Sequence, residues 1–224
     1  MAALQSLPAE LLHDIFTHLD CQLSLSEISK VSHHFRSIAL PILYRAPQFK
    51  TVRAFNAFLQ IPESLGSLVR EIDLSMTPHR WRLVDDTHME KLTHICNKLE
   101  RVDFGYTKIT DLGVQLLCIT NGMTLRSLTV SQCPKLTDEF MFAIAESCKN
   151  LEQLDISETR VTDDGLMPVA SRGQLRWLSI AHCDIDEGVR LLRTLCPNLD
   201  YLDKHGVYYI GSDIEDEESD EGST

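Results

Sequence analysis

The sequence predicts an α/β protein in which three N-terminal helices lead into a right-handed α/β solenoid with a short parallel sheet on its concave face. Three observations carry that prediction. From residue 69 onward one phrase, L-x-x-[LV]-x-[FVIL], returns at intervals of 24 to 30 residues. A second phrase built on Thr-Asp comes about ten residues after each copy, as the helix start of a strand-turn-helix unit would. Residues 4–45 lack both and carry apolar residues at helical spacing instead.

In residues 4–45, Pro8 suits a first helical turn and Glu10 the positive end of its dipole, while Leu11, Ile15 and Leu19 with Leu12 and Phe16 form an i, i+4 apolar face. Ser24 with Glu27 reads as a capping box opening a second helix that turns Leu25, Ile28 and Val31 inward. Phe35, Ile38 and Leu40 continue a third helix, which Pro41 closes. Three short helices of this size bury too little to be stable alone, so the module calls for a partner. Residues 46–68 link it to the repeats. A helix over residues 51–60, with Val52, Phe55, Ala57, Phe58 and Leu59, would cap the first repeat and end at Pro62.

The repeats occupy residues 69–210. Full copies begin at Leu99, Leu125, Leu151 and Leu175; Val69 begins a variant with an insertion around Trp81, and the copy at Leu199 lapses where Lys204 replaces an apolar residue. Within each copy, positions i and i+2 share a face, so Val102 and Phe104, or Leu154 and Ile156, point into the core and their neighbours point out. Thr110, Thr137, Thr162 and Asp186 cap the helices of their units, whose apolar spacing is set by Leu112, Leu116 and Leu117 in one unit and by Phe140, Ile144 and Ala145 in the next. One unit cannot bury its apolar side alone; five and a half stacked units can.

The formal net charge is −12, but seven of the 33 acids lie in residues 211–224, and the body carries 26 acids against 21 bases. That balance gives no clustered Lys and Arg for a phosphate backbone, so nucleic acid is not an expected partner. The acidic tail reads as disordered, with Ser212 and Ser219 as phosphorylation candidates or an inert solubilising role as the alternative. No run of apolar residues is long enough for a membrane helix and the N-terminus lacks a secretion-signal layout, which points to the cytoplasm or nucleus. Seven cysteines without C-x-x-C spacing speak for reduced, buried thiols and against zinc; His13 and His18 do not share a helix face. There is no G-x-S-x-G, G-x-x-x-x-G-K or H-E-x-x-H, and His182-Cys183 is a catalytic candidate by adjacency alone, so no enzyme and no cofactor is expected.

Cys96, Cys148 and Cys196 each precede a repeat-starting Leu by three residues, and Cys133 and Cys183 each lie five residues after a strand Leu. This layout resembles the cysteine-containing class of leucine-rich repeat. Leu7-Pro8-Ala9-Glu10-Leu11-Leu12, Ile15-Phe16, Leu19 and Val31-Ser32-His33-His34-Phe35 resemble an F-box, and Leu40-Pro41-Ile42-Leu43-Tyr44-Arg45 is similar to the segment just after the box in many fungal members. The resemblance implies a non-catalytic substrate receptor of an SCF-type ubiquitin ligase. The F-box would dock on a Skp-type adaptor, and through it a cullin-RING ligase, while the repeats present a target protein. By carry-over, Leu7, Pro8, Leu11, Ile15, Val31 and Phe35 would form or support the adaptor surface, or some of them would merely hold the helices together. A repeat scaffold or complex-assembly factor outside any ligase is the alternative.

The outward strand positions fall into columns. The central one holds Asp73, Asp103, Thr129, Asp155, Ser179 and Asp203; the one before it holds Glu71, Arg101, Ser127, Gln153, Trp177 and Tyr201; small residues and His205 make up the one after. Four aspartates in one column would attract a basic segment, and Trp177 beside Tyr201 would anchor an apolar side chain. The same aspartates also fit the generic solvated face of such a repeat. The substrate-binding candidates are therefore Asp73, Arg101, Asp103, Asp155, Trp177, Tyr201 and Asp203.

Overall fold

A computed structural model describes residues 7–19, 22–204 and 207–210. The acidic tail with Ser212 and Ser219, and His205 and Cys21, lie outside the described residues. The leading helices are α1 (Ala9–Thr17), α2 (Gln22–Ile28) and α3 (His33–Arg45), packed on a small core of Leu12, Phe16, Leu25, Phe35 and Ala39. Phe16 and Phe35 meet edge to face, with ring centroids 5.5 Å apart.

Three expectations for this region are corrected. Helix α2 starts at Gln22, so Ser24 lies inside it; the working cap is Ser32, whose hydroxyl accepts from Phe35 N at 3.1 Å and opens α3. Val31 is exposed, whereas Leu25 is buried and Ile28 packs against the module's core. Pro41 does not end α3, which runs on to Arg45. Pro41 and Ser37 are both exposed, so water can reach the carbonyl that the proline ring leaves without a donor.

Thr51 caps α4 (Val52–Phe58) by accepting from Ala54 N, and Pro62 begins the one-turn α5 (Glu63–Gly66) rather than merely ending α4. Phe49, Val52, Phe55, Phe58 and Leu59 belong to the solenoid's core, not to that of the leading helices. Phe55 contacts Phe49, Phe58 and Phe104. The apolar end of the repeat stack is thereby covered.

The strands are β1 (Glu71–Asp73), β2 (Arg101–Asp103), β3 (Ser127–Thr129), β4 (Gln153–Asp155), β5 (Trp177–Ser179) and β6 (Tyr201–Lys204), parallel and in chain order. Their register puts Ile72, Val102, Leu128, Leu154, Leu178 and Leu202 in one row, all buried. Strand β7 (Val207–Ile210) pairs antiparallel with β6 and occupies the edge that a further repeat would need.

Between the strands lie α6 (Arg80–Leu83), α7 (Asp86–Ile95), α8 (Asp111–Asn121), α9 (Asp138–Ser147), α10 (Asp163–Ala170) and α11 (Glu187–Leu195). Their N-termini are stitched by a repeating bond pattern. Asp86 accepts from both the backbone N–H and the hydroxyl of Thr110, Asp111 does the same for Thr137, and Asp138 for Thr162. At the last step, where Asp186 replaces Thr, Asp163 accepts from the N–H groups of Asp186, Glu187 and Gly188 instead. Each carboxylate thus satisfies donors at the start of the next helix and sits at the positive end of its dipole.

This stitching rotates the helices. Gly113 faces Asp86 closely enough that a Cβ would collide with the carboxylate, so Leu112, one residue earlier, is turned outward. The buried face of α8 is accordingly Val114, Leu117, Cys118 and Asn121, while Leu112 and Leu116 are exposed, contrary to the spacing-based expectation. Phe140, Ile144 and Ala145 are buried as expected. Buried Asn121 ties two repeats together, its Oδ1 accepting from Leu99 N and its Nδ2 donating to Cys96 O.

The six described cysteines are free and buried. Cys133, Cys183 and Cys196 each donate a thiol hydrogen to a carbonyl of the preceding unit, of Phe104, Ile156 and Ala170 respectively. Burial pushes the thiols of Cys96, Cys133, Cys183 and Cys196 up, that of Cys96 to about 12, so these four remain protonated packing groups.

Two substitutions test this account. Leu154→Ala should cost about 2–5 kcal/mol in urea unfolding, since it truncates the fully buried strand row. Gly165→Ala should lower Tm although alanine is the better helix former, because its Cβ would strike the Asp138 carboxylate; in an Asp138→Ala background that penalty should shrink or change sign.

Candidate functional site: two binding surfaces

The first surface belongs to the leading helices. Helix α1 carries two i, i+4 pairs, and the fold separates them: Leu12 and Phe16 are buried, whereas Leu11 and Ile15 are exposed. Pro8, immediately before α1, is exposed, as is Val31 between α2 and α3. Leu7 packs against the module's core and Phe35 is buried in it, so these two hold the surface up rather than form it. Leu23, which the spacing did not single out, is the most exposed large apolar residue among the described residues of the module. Its position beside buried Leu25, two residues away on α2, is the signal that could have found it.

This module is tied to the sheet. The Arg45 guanidinium, in the last turn of α3, reaches Glu100 at 3.0 Å and Glu71 at 3.9 Å, and its carbonyl accepts from Arg70 N. Arg70 also reaches Glu100 and Arg101 reaches Glu71, closing a network across α3, β1 and β2. Gln48 forms a bridge with Asp73. Beside that bridge is a hollow of about 670 Å³ lined in part by Pro47, Phe49, Glu71, Asp73 and Met76.

The second surface is the concave sheet. The register aligns Glu71, Arg101, Ser127, Gln153, Trp177 and Tyr201 in one outward column and Asp73, Asp103, Thr129, Asp155, Ser179 and Asp203 in the other. Trp177 and Tyr201 stack face to face, centroids 5.2 Å apart and planes 1° from parallel. A cleft of about 170 Å³ lies against Trp177, bounded by Ser127, Thr129 and Gln153.

The aspartates also serve the turns. Asp73, Asp103 and Asp155 each accept through Oδ1 from the backbone N–H two residues on, at 2.7, 2.9 and 3.0 Å, and Asp203 accepts from Ser179 Oγ. One oxygen of each of the first three is committed to the chain itself. Burial pushes the Asp103 carboxyl above its ordinary value; Asp73 and Asp155 add to the rise, and the Gly105 N–H and Arg80 oppose it. Since Glu71 is matched by Arg45 and Arg101, the negative potential of this face comes from the aspartate column.

The insertion in the first repeat builds a feature that spacing gave no means of placing. Arg80 Nε donates to Gly105 O while its guanidinium lies 5.7 Å from the Tyr106 ring centroid, and Trp81 packs between His79 and Tyr106. Met76, Trp81, Leu83 and Tyr106 form an exposed set at this end of the sheet. His182 and Cys183 do not form a catalytic pair: the ring is exposed, whereas the thiol is buried and bonded to Ile156 O.

A parallel sheet stacked from repeats and fused to a three-helix module with an exposed apolar surface defines a class of helix-and-repeat proteins, and known proteins share its parts. The COS11 F-box domain family matches residues 4–79, and the leucine-rich repeat family matches residues 96–118 and 147–170. An F-box domain match followed by leucine-rich-repeat matches is the make-up of an F-box/leucine-rich-repeat protein, and the chain fits that description. It is 30% identical over 115 residues to F-box/LRR-repeat protein 17 of Arabidopsis thaliana, a match covering 50% of this chain and only 17% of that longer relative. Among solved structures, one of Rad7 and Elc1 from yeast aligns at 18% identity and a TM-score of 0.41 over 81% of this chain and 50% of that one. One of leiomodin-1 actin-binding site 2 aligns at 14% identity and a TM-score of 0.40, over 52% of this chain and 76% of that one.

The rise that burial, with Asp73 and Asp155, imposes on the Asp103 carboxyl has a testable sign. A carboxyl whose folded pKa is raised destabilises the fold when ionised, and the cost disappears as pH falls through that folded pKa. Asp103→Asn, which keeps an oxygen for Gly105 N, should therefore raise Tm at neutral pH, with the gain fading on acidification; a loss of Tm at pH 7 would contradict this.

Proposed function

We propose that this chain is the substrate-receptor subunit of an SCF-type ubiquitin ligase, non-catalytic itself and acting in the cytoplasm or nucleus. F-box/leucine-rich-repeat proteins generally serve as such receptors. The observation that carries the reading is the division of α1, whose second i, i+4 pair, Leu11 and Ile15, is left exposed after Leu12 and Phe16 have filled the core. A module this small gains from covering such a surface with a foreign subunit. Pro8, Leu11, Ile15 and Val31 would touch a Skp-type adaptor, and Leu7 and Phe35 would fix their positions.

The concave sheet would hold the target. Asp73, Asp103, Asp155 and Asp203 favour a Lys/Arg-rich segment, Arg101 bounds it on the Glu71 side, and the Trp177–Tyr201 stack with its cleft accepts an apolar side chain. Because Arg45 pins α3 to β1 and β2, the two surfaces keep a fixed separation, as transfer of ubiquitin to a held target requires.

The first test is co-purification with a Skp-type adaptor. The wild-type chain should form a stable pair, and Leu11→Asp with Ile15→Asp should abolish it while the thermal melt of the repeats stays unchanged. Absence of any pair would leave the scaffold reading in its place. For the concave face, the quadruple Asp73, Asp103, Asp155 and Asp203→Asn variant should weaken binding of a basic target segment at least tenfold and flatten its salt dependence, whereas Trp177→Ala should weaken binding and leave the salt slope intact.

A further inference from the structure

The Asp–Thr stitching fixes the register of successive helices, so outward positions can be compared row by row. Counted from Asp111, the outward row is Leu112, Leu116 and Ile119 on α8 and Met123 in the turn just after it, at i, i+4, i+7 and i+11. All four are exposed, at 66%, 37%, 77% and 63%. The same four positions counted from Asp86 are Thr87, Lys91, His94 and Lys98, and those counted from Asp138 are Glu139, Ala143, Glu146 and Asn150, of which Lys91, His94, Lys98, Glu139 and Glu146 bear the ionisable groups. All five of these are exposed as well. The convex side therefore carries an apolar stripe with a basic border on one flank and an acidic border on the other.

We propose that this stripe is a self-association surface, joining two copies of the chain through α8 about a two-fold axis parallel to that helix. Symmetry and charge favour this arrangement. A two-fold along α8 turns the second copy over, so that its α7 border lies across from the first copy's α9 border, and basic meets acidic on both sides. A two-fold across the helix would set α7 on α7 and α9 on α9, like charge on like. The apolar spacing is that of the seam of a parallel two-stranded coil, with the flanking helices supplying the charged borders.

The area is sufficient. With Phe142, which is also exposed on α9, the stripe offers on the order of 600 Å² of apolar surface per copy, so two copies would bury about 1,200 Å², at the lower end of stable interfaces. The inference is independent of the ligase reading, because it uses neither the leading helices nor the concave sheet.

Sedimentation analysis of the full chain from about 1 to 100 μM is the test, a range that brackets the weak end expected of an interface at the lower limit of stable size. The mass should rise from monomer to dimer across that range. Leu112→Asp with Ile119→Asp should hold the chain monomeric throughout with an unchanged thermal melt, both sites being exposed. Lys91→Glu/Lys98→Glu and Glu139→Lys/Glu146→Lys should each weaken dimerisation about tenfold or more, and mixing the two charge-reversed chains should restore it as a heterodimer. A wild-type chain that stays monomeric, including one that binds only an unrelated helix there, overturns the proposal. So does a dimer that survives the aspartates, or a mixture that fails to pair.

Discussion

Each repeat is too small to enclose its own apolar side, and the structure depends on how one unit meets the next. Two ladders set that meeting. On the concave side, three-residue strands pair in parallel and place one buried residue per unit in a common row from Ile72 to Leu202. On the helix side, the carboxylate opening one helix accepts from the residue capping the next, from Asp86–Thr110 to Asp138–Thr162. The strands fix height and the carboxylates fix rotation, so every exposed position on either face is set by both together.

That double constraint explains why the binding candidates are columns rather than pockets. Side chains at the same place in successive units stand one strand spacing apart, roughly 4.8 Å, which is close enough for Asp73 to add to the rise that burial imposes on the Asp103 carboxyl and for Trp177 to stack on Tyr201. The aspartates hold the turns and also charge the face. Their turn role accounts for Asp at these positions in a generic repeat; at Asp103, burial first and then the neighbouring Asp73 and Asp155 push the carboxyl up.

The junction is as specific as the repeats. Arg45 at the end of α3 bonds across β1 and β2, Gln48 bridges to Asp73, and the phenylalanines of α4 enter the repeat core rather than that of the leading helices. The helical module thus stands on the repeat stack as a continuation of it.

The sequence alone determined the sheet. A strand has only two faces, so the positions of Val102, Leu128, Leu154 and Leu178 decide at once which residues line the concave side, and both outward columns are legible in the order of the amino acids. The helices were less legible, because apolar residues cover more than one side of them and local spacing does not choose among the possible rotations. Only the tertiary structure turned Leu12 in and Leu11 out, set the α3 cap at Ser32 rather than an α2 cap at Ser24, carried α3 through Pro41, and put Val114 in the core in place of Leu112. Those choices were made by contacts distant in the chain, such as Phe16 on Phe35 and Gly113 against Asp86, and they placed the exposed apolar surfaces of this protein.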